Sequence, residues 1–303
     1  TASSVDVAAD DAFAWYLSFD PKTQFYTFRN ASTNQCITYS GSAFKLVDRA
    51  NPTAAEKFQL MLGRKDVKVG SGAFMKTEED AAALARAMVD IGTACGRNVS
   101  AVLTNMDIPL GCGIGNALEV EEAMEVLRGE GPADLRTVSI VLASHMVSLA
   151  LGITVEEAKV RVEDALDSGR ARNTFRRWIT AQGGDGAVCD DPSVMKRSSI
   201  IREVRAPRDG YITHMNTEKI GEAAVVLGAG RTRKEDDIDP AAGLRILKKT
   251  GDFVREGEAL AILHTESEKA FREGESRYLD AIEFGENAPE TMPLISRVIR
   301  AEK

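Results

Sequence analysis

The sequence predicts an α/β fold: a strand-helix core, preceded by a short β-rich segment and followed by a smaller β-rich, barrel-sandwich-like C-terminal domain. Three observations predict it. Residues before about 64 are rich in Tyr, Asn, Ser and Thr between short apolar runs, the chain alternates strand and helix from Asp66, and beyond Ser198 turn dipeptides again separate short apolar strands. The expected divisions are residues 1–63, a β-rich segment; 64–197, an α/β domain; and 198–303, a β-rich domain.

Each element follows from local pattern. Phe25–Arg29 and Cys36–Tyr39 are β-favouring runs on either side of the turn-rich stretch Asn30-Ala31-Ser32-Thr33-Asn34, which predicts a hairpin. Phe58–Leu62 reads as an apolar strand leading into the sheet that starts at Asp66. Val67 and Val69 form a short strand ending in Gly70-Ser71-Gly72. Thr77 then precedes a helix with Leu84, Met88 and Ile91 at i, i+4, i+7. Val99–Thr104 predicts a second strand with Val99, Ala101 and Leu103 on one face, and a second helix opens at Asn116 with Glu119 at the N3 position of a capping box. Pro132 sits near the start of a long apolar-periodic helix through Leu149; Thr154 and Glu157 cap the next, which stops near Gly169. A further helix holds Phe175 and Trp178 and ends at Gly183-Gly184. Asp209-Gly210, Gly228-Ala229-Gly230 and Gly251-Asp252 mark turns in the last domain, and Ala259–Leu263 a strand.

Composition narrows the function class. With 303 residues, 44% hydrophobic and 28% charged, the chain can bury a core. Its 38 Lys+Arg against 46 Asp+Glu give −8 with no block of like charge, so neither nucleic acid nor a membrane surface is an expected partner. No apolar run approaches the roughly 20 residues that span a bilayer, and Thr1-Ala2-Ser3-Ser4 does not read as a signal. Cys36, Cys95, Cys112 and Cys189 lack C-x-x-C spacing, and His145, His214 and His264 lack H-x-x-x-H spacing. That argues against a zinc site or disulfide framework and for reduced, cytoplasmic thiols. Gly70-Ser71-Gly72 is not spaced as a dinucleotide fingerprint, and Gly228-Ala229-Gly230-Arg231 reads as a turn rather than a phosphate cradle. Gly251–Gly257 resembles the turn-strand signature of lipoyl and biotinyl carriers, without a lysine at a matching hairpin tip.

Collinear motifs then carry a stronger resemblance. They are Asp66-Val67-Lys68-Val69-Gly70-Ser71-Gly72-Ala73-Phe74-Met75, Leu103-Thr104-Asn105-Met106-Asp107, Pro109-Leu110-Gly111, Gly115-Asn116-Ala117-Leu118-Glu119-Val120 and Gly129-Glu130-Gly131-Pro132. Asp209-Gly210-Tyr211-Ile212, Leu227-Gly228-Ala229-Gly230-Arg231 and Ile238-Asp239-Pro240 continue them. From Asp66 onward the sequence resembles pyrimidine-nucleoside and thymidine phosphorylases. The resemblance implies phosphate attack on the anomeric carbon of thymidine, uridine or deoxyuridine, with phosphate as co-substrate, a pyrimidine nucleoside as the other substrate, and a homodimer. It also implies that Phe74 faces the pyrimidine pocket, and that Leu110, Gly113 and Glu122 form part of a monovalent cation site suited to potassium. The family's Lys-His-Ser phosphate motif and Arg…Ser…Lys base set precede the Asp-Val-Lys-Val motif and have no counterpart here, so no catalytic residue is assigned. Two readings follow: a phosphorylase chain, or a fusion or deletion product that keeps the scaffold without turnover. The N-terminal segment weakly resembles one repeat of ricin-type sugar-binding modules, which would add glycan binding.

Overall fold

The computed structural model describes residues 15–20, 25–30, 35–39, 44–48, 57–58, 66–231, 233 and 235–301. The chain divides into two compact units, one of residues 1–67, 82–101 and 298–303, the other of 68–81 and 102–297.

In the first unit β1 (Trp15–Asp20), β2 (Phe25–Asn30), β3 (Gln35–Tyr39) and β4 (Phe44–Asp48) lie in sequence order in an antiparallel sheet. Arg29 stands opposite Cys36, so β2 and β3 pair as the predicted hairpin requires, while residues 31–34 of the expected turn lie outside the described residues. The two-residue β5 (Lys57–Phe58) also pairs with β2, placing Phe58 opposite Tyr26. Phe58 therefore joins this N-terminal sheet instead of leading into the strand at Asp66; residues 59–62 of that expected strand lie outside the described residues.

Strands β6 (Asp66–Val69) and β7 (Ser100–Asn105) share a three-stranded sheet with β15 (Ile295–Arg300), in the order β15-β7-β6. The sequence placed alternate residues of β7 on one face. Every residue of β7 is buried, because the middle strand of an α/β sheet is covered on both faces. Helix α1 (Glu78–Ala94) starts with Glu78, Glu79 and Asp80, which suit the positive end of the helix dipole, and the Thr77 hydroxyl accepts the Asp80 N–H at 3.2 Å. Its buried stripe is Ala81, Ala85 and Val89, not the expected Leu84, Met88 and Ile91; Met88 is 47% exposed. Small side chains let a helix backbone approach its support closely, and the larger residues flank that contact.

Helix α2 (Asn116–Arg128) opens at Asn116 as expected, but its N-cap is Gly115, one position earlier than the capping box of the sequence requires. Gly115 offers no side-chain acceptor, and the Glu119 carboxylate accepts the Gly115 N–H at 3.3 Å rather than that of Asn116, so the predicted Asn116/Glu119 capping box does not form. The Asn116 amide instead donates to the Ala229 carbonyl at 2.9 Å. Helix α3 (Ala133–Leu151) follows Pro132 directly, and α4 (Val155–Asp167) has the complete Thr154/Glu157 capping box that the sequence predicted. Helix α5 (Arg170–Ala181) ends before the expected glycine pair. By length and composition α3 is apolar enough to cross a membrane, in contrast to the expectation from the sequence, and 22% of that stretch is buried.

The remainder of the second unit is β-rich with two helices that the turn pattern did not reveal. One antiparallel sheet runs β8 (Gly113–Ile114), β11 (Gly243–Ile246), β13 (Ala259–Thr265), β9 (Ile200–Arg205). A second runs β12 (Phe253–Val254), β10 (Gly210–Met215), β14 (Ile282–Gly285). Helices α6 (Thr217–Ala224) and α7 (Glu268–Asp280) cover a core containing Ile212, Met215, Ile220, Leu244, Leu260, Leu263 and Tyr278. Desolvation raises the Tyr278 phenol far above its usual range, so it stays neutral there and donates to the Leu260 carbonyl.

Candidate functional site

Ligands of α/β sheets gather at the carboxyl ends of strands. Two loops leave the sheet at such ends, residues 70–76 after β6 and residues 106–112 after β7, and all four site residues expected from the sequence lie on them or against them.

The first loop folds back on itself. The Gly70 N–H donates to the Met75 carbonyl at 3.1 Å and the Ala73 N–H to the Gly70 carbonyl at 3.0 Å, with a parallel bridge between Val69 and Met75. Its outer edge is tied down by the Gly72 N–H on the Met106 carbonyl at 3.0 Å and the Ser71 N–H on Asp107 Oδ1 at 3.1 Å. Phe74 stands at the tip, 82% exposed. Core packing, the ordinary fate of a phenylalanine, is excluded by that exposure. A backbone held at this many points presents the ring as a flat apolar wall, a surface on which a planar ring can stack.

The second loop is organised by buried charge. Glu122, on α2, is 3% exposed, so it is not the solvated helix residue that a glutamate usually is. Its Oε1 accepts the Cys112 N–H at 2.7 Å and the Gly113 N–H at 2.9 Å. Burial pushes its carboxyl above the usual range, against the pull of these two N–H groups and of Arg245 and Lys249. Gly111 adopts φ 70°, and a Cβ there would lie 2.1 Å from Glu122 Oε2, so the loop passes the carboxylate only because it has no side chain at this point.

Asp134, at the start of α3, holds the other side. Its Oδ2 accepts the Gly111 N–H at 3.2 Å and Lys249 Nζ at 2.6 Å, its Oδ1 accepts the Leu135 N–H at 2.8 Å, and Lys249 also donates to the Pro109 carbonyl at 2.9 Å. Burial pushes the Asp134 carboxyl up, but the hydrogen bond and charge of Lys249, with the two N–H donors, outweigh it and hold the group below its usual range. The Cys112 thiol between these groups is raised by burial and packs against the β-rich core as a small hydrophobe.

Comparison with known proteins covers both loops. Residues 45–172 match the α/β domain of a glycosyl transferase family, and residues 211–285 match the pyrimidine nucleoside phosphorylase C-terminal domain. Across about two thirds of its length the chain is similar to curated pyrimidine-nucleoside phosphorylases. The pyrimidine-nucleoside phosphorylase of Geobacillus stearothermophilus is 48% identical over 205 residues, 67% of this chain and 47% of the relative. That of Bacillus subtilis (strain 168) is 47% identical over 204 residues, 67% and 47%, and that of Staphylococcus aureus (strain bovine RF122 / ET3-1) is 49% identical over 201 residues, 66% and 46%. The chain thus spans less than half the length of these curated relatives.

The resemblance grouped Leu110, Gly113 and Glu122, and the fold brings the loop that carries Leu110 and Gly113 onto the Glu122 carboxylate. Phe74 lies on the separate first loop. Asp107, Asp134, Thr217 and Lys249 were not read as site residues, since their partners lie far off in sequence, 115 positions in the case of Lys249 and Asp134.

Proposed function

We propose that this chain belongs to an enzyme that phosphorolyses pyrimidine nucleosides: thymidine or uridine plus phosphate give the free base and a (deoxy)ribose 1-phosphate. A phosphate oxygen attacks the anomeric carbon, the bond to the pyrimidine N1 breaks, and its electron pair leaves with the base, which takes up a proton. Such a reaction depends on positioning and on donors that meet charge as it develops on the departing base. Phe74 carries the reading: an exposed ring on a hydrogen-bonded loop at a strand's carboxyl end, within the residues 45–172 that match the glycosyl transferase α/β domain. Its part is to stack on the pyrimidine and fix the plane of the ring.

Leu110 and Gly113, through their carbonyls, with the Glu122 carboxylate would supply part of a potassium site. The donor set fits such an ion in being oxygen only, with the one nearby thiol kept protonated by burial. A bound cation there would stiffen the loop after β7 and offset the buried charge of Glu122. Division of labour follows the two family matches, which lie on either side of residue 198: residues 64–197 hold the site and 198–303 support it. A cytoplasmic setting fits the free thiols Cys95, Cys112 and Cys189.

The test is chromatographic. Incubated with uridine or thymidine and inorganic phosphate, the protein is expected to release base and sugar 1-phosphate in equal amounts, and to release none without phosphate. Base-free reactions at high protein concentration would refute the reading and leave a scaffold without turnover.

A further inference from the structure

Helix α6 has its own N-cap, since Asn216 Oδ1 accepts the Lys219 N–H at 3.0 Å. Thr217, the first residue of the helix, is therefore free to bond elsewhere, and both of its polar groups turn to the other end of the sequence. Its N–H donates to the Ser71 hydroxyl at 3.1 Å and its Oγ1 donates to the Asp107 carbonyl at 3.1 Å. Asp107 in turn accepts the Ser71 N–H on Oδ1 at 3.1 Å, and its own N–H is held by Asn105 Oδ1 at 2.8 Å. His214 Nε2 lies 3.5 Å from the same Oδ1. Lys76, at the far end of the loop, donates to the Ser71 carbonyl at 2.9 Å and pairs with Glu218 of α6 at 3.2 Å.

The glycines report the same closeness independently. A Cβ on Gly70 would stand 2.4 Å from the Asp107 nitrogen, and one on Gly72 would stand 2.4 Å from Thr217 Cγ2. Both glycines are thus pressed flat against the two residues that also hold the loop by hydrogen bonds.

We propose that Asp107 and Thr217 are positioning residues that set the angle at which Phe74 is presented, so that α6 of the β-rich region fixes the pyrimidine wall. Neither touches substrate; they act through Ser71 and Gly72. The inference rests on the reading that Phe74 meets the base, and its test separates the two.

Amide hydrogen exchange on the full chain is measured for the parent, for Thr217→Val, which keeps the shape and removes the hydroxyl donor, and for Thr217→Ser, which keeps it. Exchange at residues 71–73 is expected to rise about fivefold in Thr217→Val, the effect of one hydrogen bond, with parental rates restored in Thr217→Ser. Uridine phosphorolysis supplies the second readout. A tilted wall weakens ground-state and transition-state contact alike, so KM is expected to rise with kcat unchanged, whereas a merely structural lesion would lower kcat by reducing the folded fraction. Unchanged exchange at 71–73, or failure of Thr217→Ser to restore it, overturns the inference, and so does a fall in kcat at constant KM. If the parent itself shows no turnover, the proposed function fails while exchange alone still decides the inference. Should Thr217→Val not fold, Asp107→Asn, which keeps an acceptor for the Ser71 N–H but loses the charge facing His214, is judged by the same exchange at 71–73.

Discussion

The loops after β6 and β7 solve the same problem by different physics. Both need glycine where the backbone passes close to a neighbour, Gly70 and Gly72 in one, Gly111 in the other. The first is pinned by backbone groups, a hydroxyl and a half-exposed aspartate, and it presents an apolar ring outward. The second is wrapped around a buried glutamate and clamped by a lysine and aspartate pair. One loop is held rigid in order to be touched; the other is held rigid by charges kept away from water. Electrostatic sensitivity therefore belongs to the second, and sensitivity to shape to the first.

That contrast can be broken by substitution, beginning with shape. Gly70→Ala puts a Cβ against backbone that cannot swing aside, at φ 121°, and is expected to cost more than about 3 kcal/mol in urea denaturation. A cost under about 1 kcal/mol would mean that the first loop is not pressed onto Asp107. Next comes Glu122→Ala, which strands the Cys112 and Gly113 N–H groups; a loss of about 2–3 kcal/mol is expected, with Glu122→Gln close to the parent because its amide oxygen can still accept. Equal losses in the two variants would assign the loop to the charge instead of the acceptor.

Smaller and dependent on pH is Asp134→Asn. The folded-state carboxyl lies below its unfolded value, so its contribution is present above about pH 4 and fades as pH falls through the folded value. The variant should be less stable than the parent by about 1–2 kcal/mol at pH 7 and indistinguishable from it in strong acid. Glu122 has the opposite sign: its folded value is raised, so its contribution favours the fold in acid and is lost as pH rises through that value. Smallest is Phe74→Ala, expected to change stability by under about 0.5 kcal/mol because the ring is exposed, while raising KM for uridine. A large loss of stability would return Phe74 to the core.

Much of this architecture was legible in the sequence, and the failures have physical causes. The Thr154/Glu157 box and the antiparallel pairing of β2 with β3 are local chemistry and match the expectation. Helix α1 was found but its face was mistaken, since a hydrophobicity pattern ranks Leu84 and Met88 above Ala81 and Ala85, while close packing favours the alanines. Helices α6 and α7 are masked in the sequence by the glycine turns around them, which predict β throughout, although Asn216 and Ser267 are N-caps. Leu110, Gly113 and Glu122 were grouped by the family resemblance, and the fold sets the Gly113 N–H on the Glu122 carboxylate. The clamps were not legible, because Lys249 with Asp134 and Thr217 with Ser71 join residues whose pairing leaves no trace in either local pattern.

The Ser71 hydroxyl receives the first N–H of a helix 146 positions downstream. During synthesis the tip bearing Phe74 leaves the ribosome long before Thr217 exists, and β10, which leads into α6, must still wait for β14 at Ile282–Gly285 to complete its sheet. The last ties on the apolar wall are therefore made late, and a nascent chain arrested before Thr217 would hold the ring by Met106 and Asp107 alone.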